Sequence, residues 1–325
     1  MRPLEEIVGA IRAARSVALV SHLNPDGDTI GSALALLRGL EKLGKRAALF
    51  CQDKVPDNIS FLRGADGVRR PEEVGGERFD LLLCVDVADE GRMGRCASLK
   101  ACCGRIAQID HHGTNPGYAE LNCVDAQAPA TGLVARELLE RLGVGMDADI
   151  AACLYAAIST DTGNYAYAST TPEAFRVTAE LLEAGLPLSE LNRKLYRQRE
   201  IPQVLLMQRA LHTLTFHHGG DVTTMILTRQ DFADCGAMAE HADTLVNYGL
   251  DILGVRMTAL IRETSVPGEL KISLRAVEPA NVSGVAQSFG GGGHAQAAGA
   301  TVRGDLEAWV SQCVEAMAKA LETDA

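Results

Sequence analysis

Carboxylates and imidazoles are concentrated in four short segments of this 325-residue sequence. The segments are residues 22–28, Asp86, residues 110–112 and residues 160–164. Each of the first three directly follows a short apolar run, and the fourth follows a longer, helix-like apolar stretch. Because ligands of doubly wound sheets bind beyond the carboxyl ends of the strands, we expect these side chains to converge on one edge of a sheet.

Carboxylates packed this closely would repel one another strongly unless cations neutralised them. Mixed histidine and aspartate ligands suit Mn²⁺, Fe²⁺ or Zn²⁺, and a carboxylate-rich set shifts the preference toward manganese. A carboxylate shared between two ions would give the two-metal arrangement that is used for phosphoryl chemistry. The residue types therefore predict a metal centre suited to phosphate esters.

Each segment has a simpler interpretation when it is taken alone. Residues 25–28 have a common turn composition, and Asp86 could cap a helix. His111 and His112 could form a solvated loop pair, and Asp161 could be a polar residue at a helix end. The joint order and spacing of the segments favours the metal site.

The elements that would position these residues alternate between strand and helix. Short apolar runs predict strands at residues 16–21, 47–51, 81–85 and 105–109. Helical spacing of apolar residues predicts helices at residues 30–43, 131–142 and 149–159. This alternation is typical of an α/β fold with a mainly parallel sheet flanked by helices.

The pattern changes in the second half of the chain. Helices are predicted at residues 172–183, 187–199, 202–211 and 305–321, and strands at residues 222–227, 253–262 and 270–275. We therefore predict a metal-binding domain at residues 1–186, connecting helices at residues 187–215 and a smaller C-terminal α/β domain at residues 216–325.

The charge balance argues against long nucleic acid as a partner. Lys and Arg number 31 against 42 Asp and Glu, which gives a net charge of −11. Proteins that grip a long duplex by its phosphates normally show a basic stripe, and no block of five basic residues occurs here. A small anionic substrate held by metal ions and a few local cations is compatible with this composition.

Several features predict a cytoplasmic protein. No apolar stretch reaches the ~18 residues that a membrane span needs. The N-terminus lacks the basic segment followed by an apolar segment that is typical of a signal peptide. The nine cysteines show no C-x-x-C spacing, and an odd count suits a reducing compartment better than a disulfide framework. We expect no membrane partner, and we expect a homodimer only on general grounds.

The motifs resemble those of a known family. His22-x-x-x-Asp26-x-Asp28, Asp86, Asp110-His111-His112 and Asp161 are similar to the four motifs of the DHH phosphoesterase superfamily. The run of glycines at residues 290–293, with His294 and Ala297-Ala298-Gly299, resembles the DHH-associated C-terminal domain. The chain length and Lys271-x-Ser273-x-Arg275 are most similar to the bacterial nano-RNase and pAp-phosphatase branch.

The resemblance implies a role for each matching residue. The first ion would be held by His22, Asp26 and Asp86, and the second by Asp28, Asp86, His111 and Asp161, with Asp86 bridging. Asp110 would orient a metal ligand without binding the ion itself. His112 would face the reacting phosphate and stabilise charge there. The ions would be Mn²⁺, with other divalent metals as alternatives.

A second group of residues is expected to bind the substrate. It comprises Arg275, Gly290, Gly291, Gly292, Gly293 and His294. Glycines let backbone N–H groups approach an anion, and Arg offers a bidentate fork for phosphate. The other interpretation of a glycine run is a flexible surface loop. The small residues that follow suit close helix packing, which favours the phosphate-binding interpretation.

The resemblance implies a manganese-dependent enzyme that degrades short oligoribonucleotides to mononucleotides from 3′ to 5′ and in addition dephosphorylates pAp. The active site would lie in the cleft between the two domains. A cyclic dinucleotide (c-di-AMP) or linear dinucleotide phosphodiesterase would share every ligand and stays an alternative. A nucleotide-sensing module without catalysis would be expected to lack ligands, whereas every proposed position has a competent side chain.

Overall fold

The polypeptide divides into two units, one that ends at Gln198 and one that begins at Arg199. The computed structural model describes residues 2–323. The helices of unit 1 are α1 (Arg2–Ala13), α2 (Gly27–Lys42), α3 (Thr131–Leu142), α4 (Ala148–Asp161), α5 (Pro172–Glu183) and α6 (Leu188–Asn192). Its strands are β1 (Ser16–Val20), β2 (Arg46–Phe50), β3 (Phe79–Val85), β4 (Cys103–Asp110) and β5 (Leu121–Val124).

The five strands of unit 1 form one parallel sheet in the order β2-β1-β3-β4-β5. Both faces of the sheet are buried, since Leu19 packs into one apolar cluster and its neighbour Val20 into another. Strands covered on both faces are continuous apolar runs, which is why these segments could be recognised in the sequence. The predicted parallel sheet with flanking helices is confirmed.

The sheet order brings the predicted site segments together. Strand β3 pairs with β1 on one side and with β4 on the other, so the carboxyl ends of all three lie side by side. His22 follows β1, Asp86 follows β3 directly, and β4 ends at Asp110. The expected convergence of these segments at one sheet edge is confirmed.

Two helix boundaries differ from the predicted ones, and both differences involve site residues. Helix α2 begins at Gly27 instead of residue 30, because the Asp26 side chain caps it by accepting hydrogen bonds from the amides of Asp28 and Thr29. Helix α4 extends to Asp161, so this carboxylate lies in the last helical turn and not in the following loop.

Unit 2 has a mixed six-stranded sheet in the order β10-β11-β9-β8-β7-β6. Its strands are β6 (Thr215–His217), β7 (Val222–Leu227), β8 (Met257–Glu263), β9 (Glu269–Ala276), β10 (Gly292–Gly293) and β11 (Ala297–Arg303). Its helices are α7 (Ile201–His212), α8 (Arg229–Cys235), α9 (Asn247–Leu250), α10 (Ser283–Ser288) and α11 (Leu306–Thr323). Strands β7 and β8 are parallel, whereas the other neighbours are antiparallel. The second α/β domain is confirmed.

Two elements in the second half of the chain were predicted wrongly. The helix predicted over residues 187–199 is interrupted, since α6 passes into a π-helical turn at Arg193–Arg197. The strand predicted from residue 253 begins at Met257, and Leu253 is fully exposed. The small residues after the glycine run form strand β11, which pairs with β9, and Ala298 and Ala300 lie in one apolar cluster with Val285 and Ala286 of helix α10.

All nine cysteines are free thiols in the structure, and six of them are buried. Within residues 2–323, none of the helices combines the length and the apolar character that crossing a membrane would require.

Gly31 sets how closely α2 approaches α4. A Cβ atom at Gly31 would lie 2.5 Å from the carbonyl oxygen of Cys153 and 2.9 Å from the amide nitrogen of Ala157. Because these are backbone atoms that cannot rotate away, we expect Gly31→Ala to lower the free energy of unfolding by about 1–3 kcal/mol. The measurement is urea denaturation followed by circular dichroism.

Gly9 provides a matched control for this substitution. It lies in helix α1, and a Cβ atom added at Gly9 would have no neighbouring atom within 4 Å. Gly9→Ala is therefore expected to stabilise the protein slightly, by up to about 1 kcal/mol, through helix propensity. Equal effects of the two substitutions would contradict the proposed role of the α2–α4 contact.

Candidate metal centre

The first group of possible ligands consists of His22, Asp26 and Asp86. The Nε2 atom of His22 lies 3.5 Å from Asp26 Oδ2 and 3.5 Å from Asp86 Oδ2. The other ring nitrogen, Nδ1, lies 2.8 Å from the carbonyl oxygen of Leu23, which orients the ring. Nε2 and the two carboxylates thus face a common point.

The second group consists of Asp28, His111 and Asp161. The Nε2 atom of His111 lies 3.2 Å from Asp161 Oδ2 and 3.7 Å from Asp28 Oδ2. The Nδ1 atom of His111 lies 3.1 Å from the carbonyl oxygen of Ala128. Both histidines therefore present Nε2 to carboxylates and have Nδ1 against a backbone carbonyl.

Asp86 joins the two groups. Its Oδ2 atom faces His22, whereas its Oδ1 atom lies 3.7 Å from His111 Nε2. The side chain is buried, and the backbone has a φ of +61°, a left-handed conformation that directs the residue sharply out of strand β3. A carboxylate placed in this way can face two ions at once.

The separations between the ligand atoms fit divalent cations. Ligands about 2.1 Å from one ion lie about 3.0–3.4 Å apart in octahedral or tetrahedral geometry. The observed separations of 3.2–3.7 Å are close to this range. All six ligands predicted from the sequence lie in these two groups.

The electrostatics of the centre also require cations. Burial raises the pKa of Asp28 well above its ordinary value, and the negative charges of Asp86 and Asp161 raise it further. Burial likewise raises the pKa of Asp161 to about 6. Burial alone would lower the pKa of His22, but hydrogen bonds to Asp26 and Asp86 raise it to about 9. The metal-free centre thus retains protons in place of metal ions.

Metal binding at pH 7 is therefore expected to release protons. Ligands must be deprotonated to bind a metal, and the pKa of His22, about 9, keeps its ring protonated at this pH. At least about one proton should leave per protein, and the metal affinity should fall about tenfold for each unit that the pH decreases.

Isothermal titration calorimetry in two buffers of different ionisation enthalpy, at the same pH, measures the number of protons released. The release should increase further at pH 6, where more Asp161 is protonated. Identical binding enthalpies in both buffers at pH 7 would contradict this account of the centre.

The start of helix α3 supports the buried carboxylates, and these contacts were missed from the sequence. Asp28 accepts hydrogen bonds from the amide of Thr131 at 2.6 Å, from the amide of Gly132 at 2.9 Å and from the hydroxyl of Ser32 at 3.0 Å. The Thr131 hydroxyl donates to Asp86 Oδ1 at 2.8 Å. Small residues at a helix start were the available signal, since such amides bind anions.

Asp110 supports His112. Its Oδ1 atom lies 2.8 Å from His112 Nδ1, and its Oδ2 atom accepts a hydrogen bond from Asn115 at 2.5 Å. Gln108 continues this chain by contacting Asn115. The sequence analysis predicts that Asp110 orients a metal ligand; in the structure Asp110 contacts His112, whereas the Nδ1 atom of His111 faces the carbonyl oxygen of Ala128.

His112 lies at the edge of the centre with 34% of its side chain exposed. Its Nδ1 atom lies 3.6 Å from Asp86 Oδ1, and it forms a third possible ligand group with Asp86 and His111. The hydrogen bond to Asp110 raises the pKa of His112, although burial opposes the rise. A partly exposed imidazole with a raised pKa beside Asp86 is suited to an anionic substrate.

Part of the predicted substrate-binding group lies together in unit 2. A groove of about 610 Å³ is lined by residues that include Lys271, Ser273, Arg275, Gly290, Gly291 and Thr301. Gly292, Gly293 and His294 are not among its lining residues. The groove has cationic side chains, hydroxyls and exposed backbone, groups that can bind phosphate, and it also has the Asp243 carboxylate, 3.8 Å from the Lys271 ammonium.

Two of the glycines are needed for close packing of strands. A Cβ atom at Gly291 would lie 2.1 Å from the carbonyl oxygen of Gly299, and one at Gly293 would lie 2.5 Å from Ala298 Cα. Gly292, by contrast, has no atom within 4 Å of its Cβ position. The glycine run thus permits β10 to lie directly against β11.

Comparison with known proteins identifies the family. Residues 16–158 match the DHH family, N-terminal domain, and residues 223–323 match the DHHA1 domain. The chain is 34% identical over 322 residues to the bifunctional oligoribonuclease and PAP phosphatase NrnA of Thermus thermophilus, with 99% of this chain and 94% of that protein covered. The chain belongs to the NrnA family of DHH proteins.

Solved structures share the fold of this NrnA-family chain. An exopolyphosphatase-related protein from Bacteroides fragilis superposes with a TM-score of 0.89 at 24% identity, covering 98% of this chain and 96% of that one. The exonuclease RecJ bound to manganese superposes with a TM-score of 0.53 at 15% identity, covering 97% and 94%. The family and the ligand geometry together identify the centre of this NrnA-family chain as a divalent-metal site.

Proposed function

We propose that this protein is a manganese-dependent phosphoesterase that degrades very short oligoribonucleotides to mononucleotides from the 3′ end and also dephosphorylates pAp. The observation that best supports this proposal is the Asp86 carboxylate, whose two oxygens face two separate His/Asp groups. The relative from Thermus thermophilus, whose name states both activities, aligns with 99% of this chain.

His22, Asp26 and Asp86 would hold one ion, and Asp28, Asp86, His111 and Asp161 would hold the other. Two bound divalent ions lower the pKa of a shared water and stabilise the negative charge that develops on a reacting phosphate. Asp28 keeps its orientation through the amides of Thr131 and Gly132, so this ligand is positioned before any ion binds. The abundance of carboxylates supports Mn²⁺ over Zn²⁺.

His112 is proposed to stabilise the reacting phosphate. The Asp110 carboxylate holds Nδ1, which leaves Nε2 as the ring nitrogen that can donate to an anionic oxygen. The raised pKa of His112, caused first by Asp110, favours the positively charged form that such a role needs. A fixed cationic donor of this kind stabilises charge that increases in the transition state.

Unit 2 is proposed to bind a phosphate or ribose of the substrate. Arg275 and Lys271 line the same groove as Gly290 and Gly291, so charged donors and accessible backbone occur together. We also propose that Gly292, Gly293 and His294 contribute to this binding, with Gly292 open to close approach. The net charge of −11 supports selection of short substrates, because long strands gain most of their affinity from extended basic surfaces.

The test is a substrate panel with the metal-stripped full-length protein. RNAs of two, five and twenty residues, pAp and cyclic di-AMP are each incubated with no metal, with Mn²⁺ and with Mg²⁺. We expect manganese-dependent release of mononucleotides from the shortest RNA and of phosphate from pAp. Rapid degradation of the twenty-residue RNA, or turnover of cyclic di-AMP alone, would overturn the proposed substrate.

The direction of degradation is tested with the five-residue RNA labelled at its 5′ end. Cleavage from the 3′ end gives a ladder of progressively shorter labelled products. Release of the label as a mononucleotide in the first turnover would contradict the proposed direction.

A further inference from the structure

Arg92 lies beside the metal centre in a position fixed by its backbone. It belongs to the 3₁₀-helical segment Glu90–Cys102, which follows β3 and Asp86. Its amide donates to Asp89 Oδ1 at 3.1 Å, and its carbonyl oxygen accepts a hydrogen bond from the amide of Leu23 at 2.9 Å. Since Leu23 follows His22 directly, Arg92 is tied to the loop that supplies a metal ligand.

One buried N–H donor of the Arg92 guanidinium has no acceptor among the described residues. Its Nη2 atom lies 3.1 Å from His22 Nδ1, whereas its Nε atom is buried and has no hydrogen-bond partner among residues 2–323. Arg95, on the same segment, pairs with Glu72 at 2.7 Å and also contacts Gln52. Arg92 has no such carboxylate partner within the described part of the chain, although acidic residues surround the centre.

Arg92 cannot donate a hydrogen bond to His22 Nδ1 when His22 binds a metal ion through Nε2. The Nδ1 atom of His22 lies 2.8 Å from the carbonyl oxygen of Leu23 and can donate to it only when it has a hydrogen. A ring nitrogen with a hydrogen cannot accept a hydrogen bond from a guanidinium. A histidine that binds a metal through Nε2 retains the hydrogen on Nδ1, so Arg92 then lacks an acceptor.

The Arg92 side chain is half-buried, and a buried N–H donor such as its Nε is unfavourable until an acceptor arrives. Arg has five N–H donors in a planar fork that matches the oxygens of a phosphate. Arg92 contacts His22, and both His22 and His112 lie beside Asp86, at 3.5 and 3.6 Å from its two carboxylate oxygens. Arg92 therefore contacts a residue of the same centre that His112 borders.

We propose that Arg92 is a substrate-binding residue that donates hydrogen bonds to a non-bridging oxygen of the phosphate at the metal centre. This inference rests on the proposed phosphoesterase function and adds a residue to it. Its role differs from that of the metal ligands, because it acts on the anion and not on the ions. It also differs from a structural arginine such as Arg95, whose charge is already paired.

The test measures binding of inorganic phosphate to the Mn²⁺-loaded full-length protein by isothermal titration calorimetry. We expect Arg92→Gln to weaken phosphate binding by at least tenfold and Arg92→Lys to recover part of the loss. Arg95→Gln, the same change on the same segment, should bind phosphate like the wild type. The number of Mn²⁺ ions bound and their affinity should be unchanged, within twofold, in all three variants.

Three outcomes would overturn the inference. One is unchanged phosphate affinity in Arg92→Gln. Another is loss of Mn²⁺ binding in both Arg92 variants, which would show that Arg92 mainly holds His22. The third is a wild-type protein that binds Mn²⁺ but no phosphate. If phosphate binding depends on Arg92 but no RNA or pAp is hydrolysed, the proposed function fails while the assignment of Arg92 as a phosphate-binding residue stands.

Discussion

Asp86→Asn is expected to reduce kcat/KM on the shortest RNA by more than about 10³-fold, because the variant loses the one carboxylate that faces both ligand groups. Loss of a group that merely supports a ligand costs about 10–100-fold, and a bridging ligand should cost more. The wild type should bind two Mn²⁺ ions per chain, and the variant should bind fewer. Metal analysis after gel filtration and steady-state kinetics measure these two quantities.

The choice of asparagine preserves the structure around Asp86. Asn tolerates the left-handed φ of +61° better than most residues, and its Oδ1 can still accept the hydrogen bond from Thr131. The negative charge of Asp86 is also one reason why the pKa of the buried Asp28 is raised, after burial itself. Removing that charge relieves the repulsion with Asp28 but weakens the interaction with the protonated His22, so the stability of the metal-free protein should change little.

Asp80→Asn is the matched control. Asp80 lies on the same strand, at the opposite end, and accepts hydrogen bonds from the amides of Arg15 and Ser16. Its substitution removes the same charge but should leave kcat/KM and the Mn²⁺ stoichiometry unchanged. Two ions bound with normal affinity in Asp86→Asn would refute the bridging assignment.

His112→Gln is expected to reduce kcat by about 10²–10³-fold while two Mn²⁺ ions remain bound. This is the range observed when one donor that stabilises transition-state charge is removed. His112 is expected to contact the substrate and not to be essential for metal binding, because Asp110 holds its Nδ1 atom. His112→Gln should therefore have a reduced kcat with two Mn²⁺ ions bound, whereas Asp86→Asn should bind fewer ions.

Two further variants refine the second prediction. Asp110→Asn should cost about 10–100-fold in kcat, because it leaves His112 present but less well oriented and less basic. His212→Gln, which changes an exposed histidine at the end of α7, should have no effect on kcat. Loss of Mn²⁺ binding in His112→Gln would reassign His112 as a metal ligand, as its proximity to Asp86 and His111 would permit.

Most of the metal ligands could be predicted from the sequence for a local reason. His22 and Asp86 directly follow apolar runs, and a buried strand followed by a polar residue places that residue at the sheet edge. The parallel arrangement then brings the strand ends together without any further information. Asp161 was predicted to join the other carboxylates, and it does, although it lies in the last turn of α4 and not in the loop that follows. The last helical turn and the first loop residues are close in space, so this error in the helix boundary changed little.

The strand β11 illustrates a limit of local reasoning. Residues 297–300 are Ala, Ala, Gly and Ala, which have no apolar alternation and suit close packing in either a helix or a strand. Pairing with β9 on one side and with the glycines of β10 on the other makes them a strand. The deciding hydrogen bonds come from other segments, so this choice could not be read from the residues themselves.

The sequence by itself determined which residues can bind metal ions, because ligand chemistry depends on side-chain type and on the short distance from each strand end. Only the tertiary structure decided how these residues are used. Asp28 is oriented by the amides of Thr131 and Gly132, which lie 103 and 104 residues away along the chain. Arg92 meets His22, which lies 70 residues earlier in the chain, because strand pairing and helix packing set this distance. Contacts of that range depend on how separate elements pack, and spacing along the chain does not specify them.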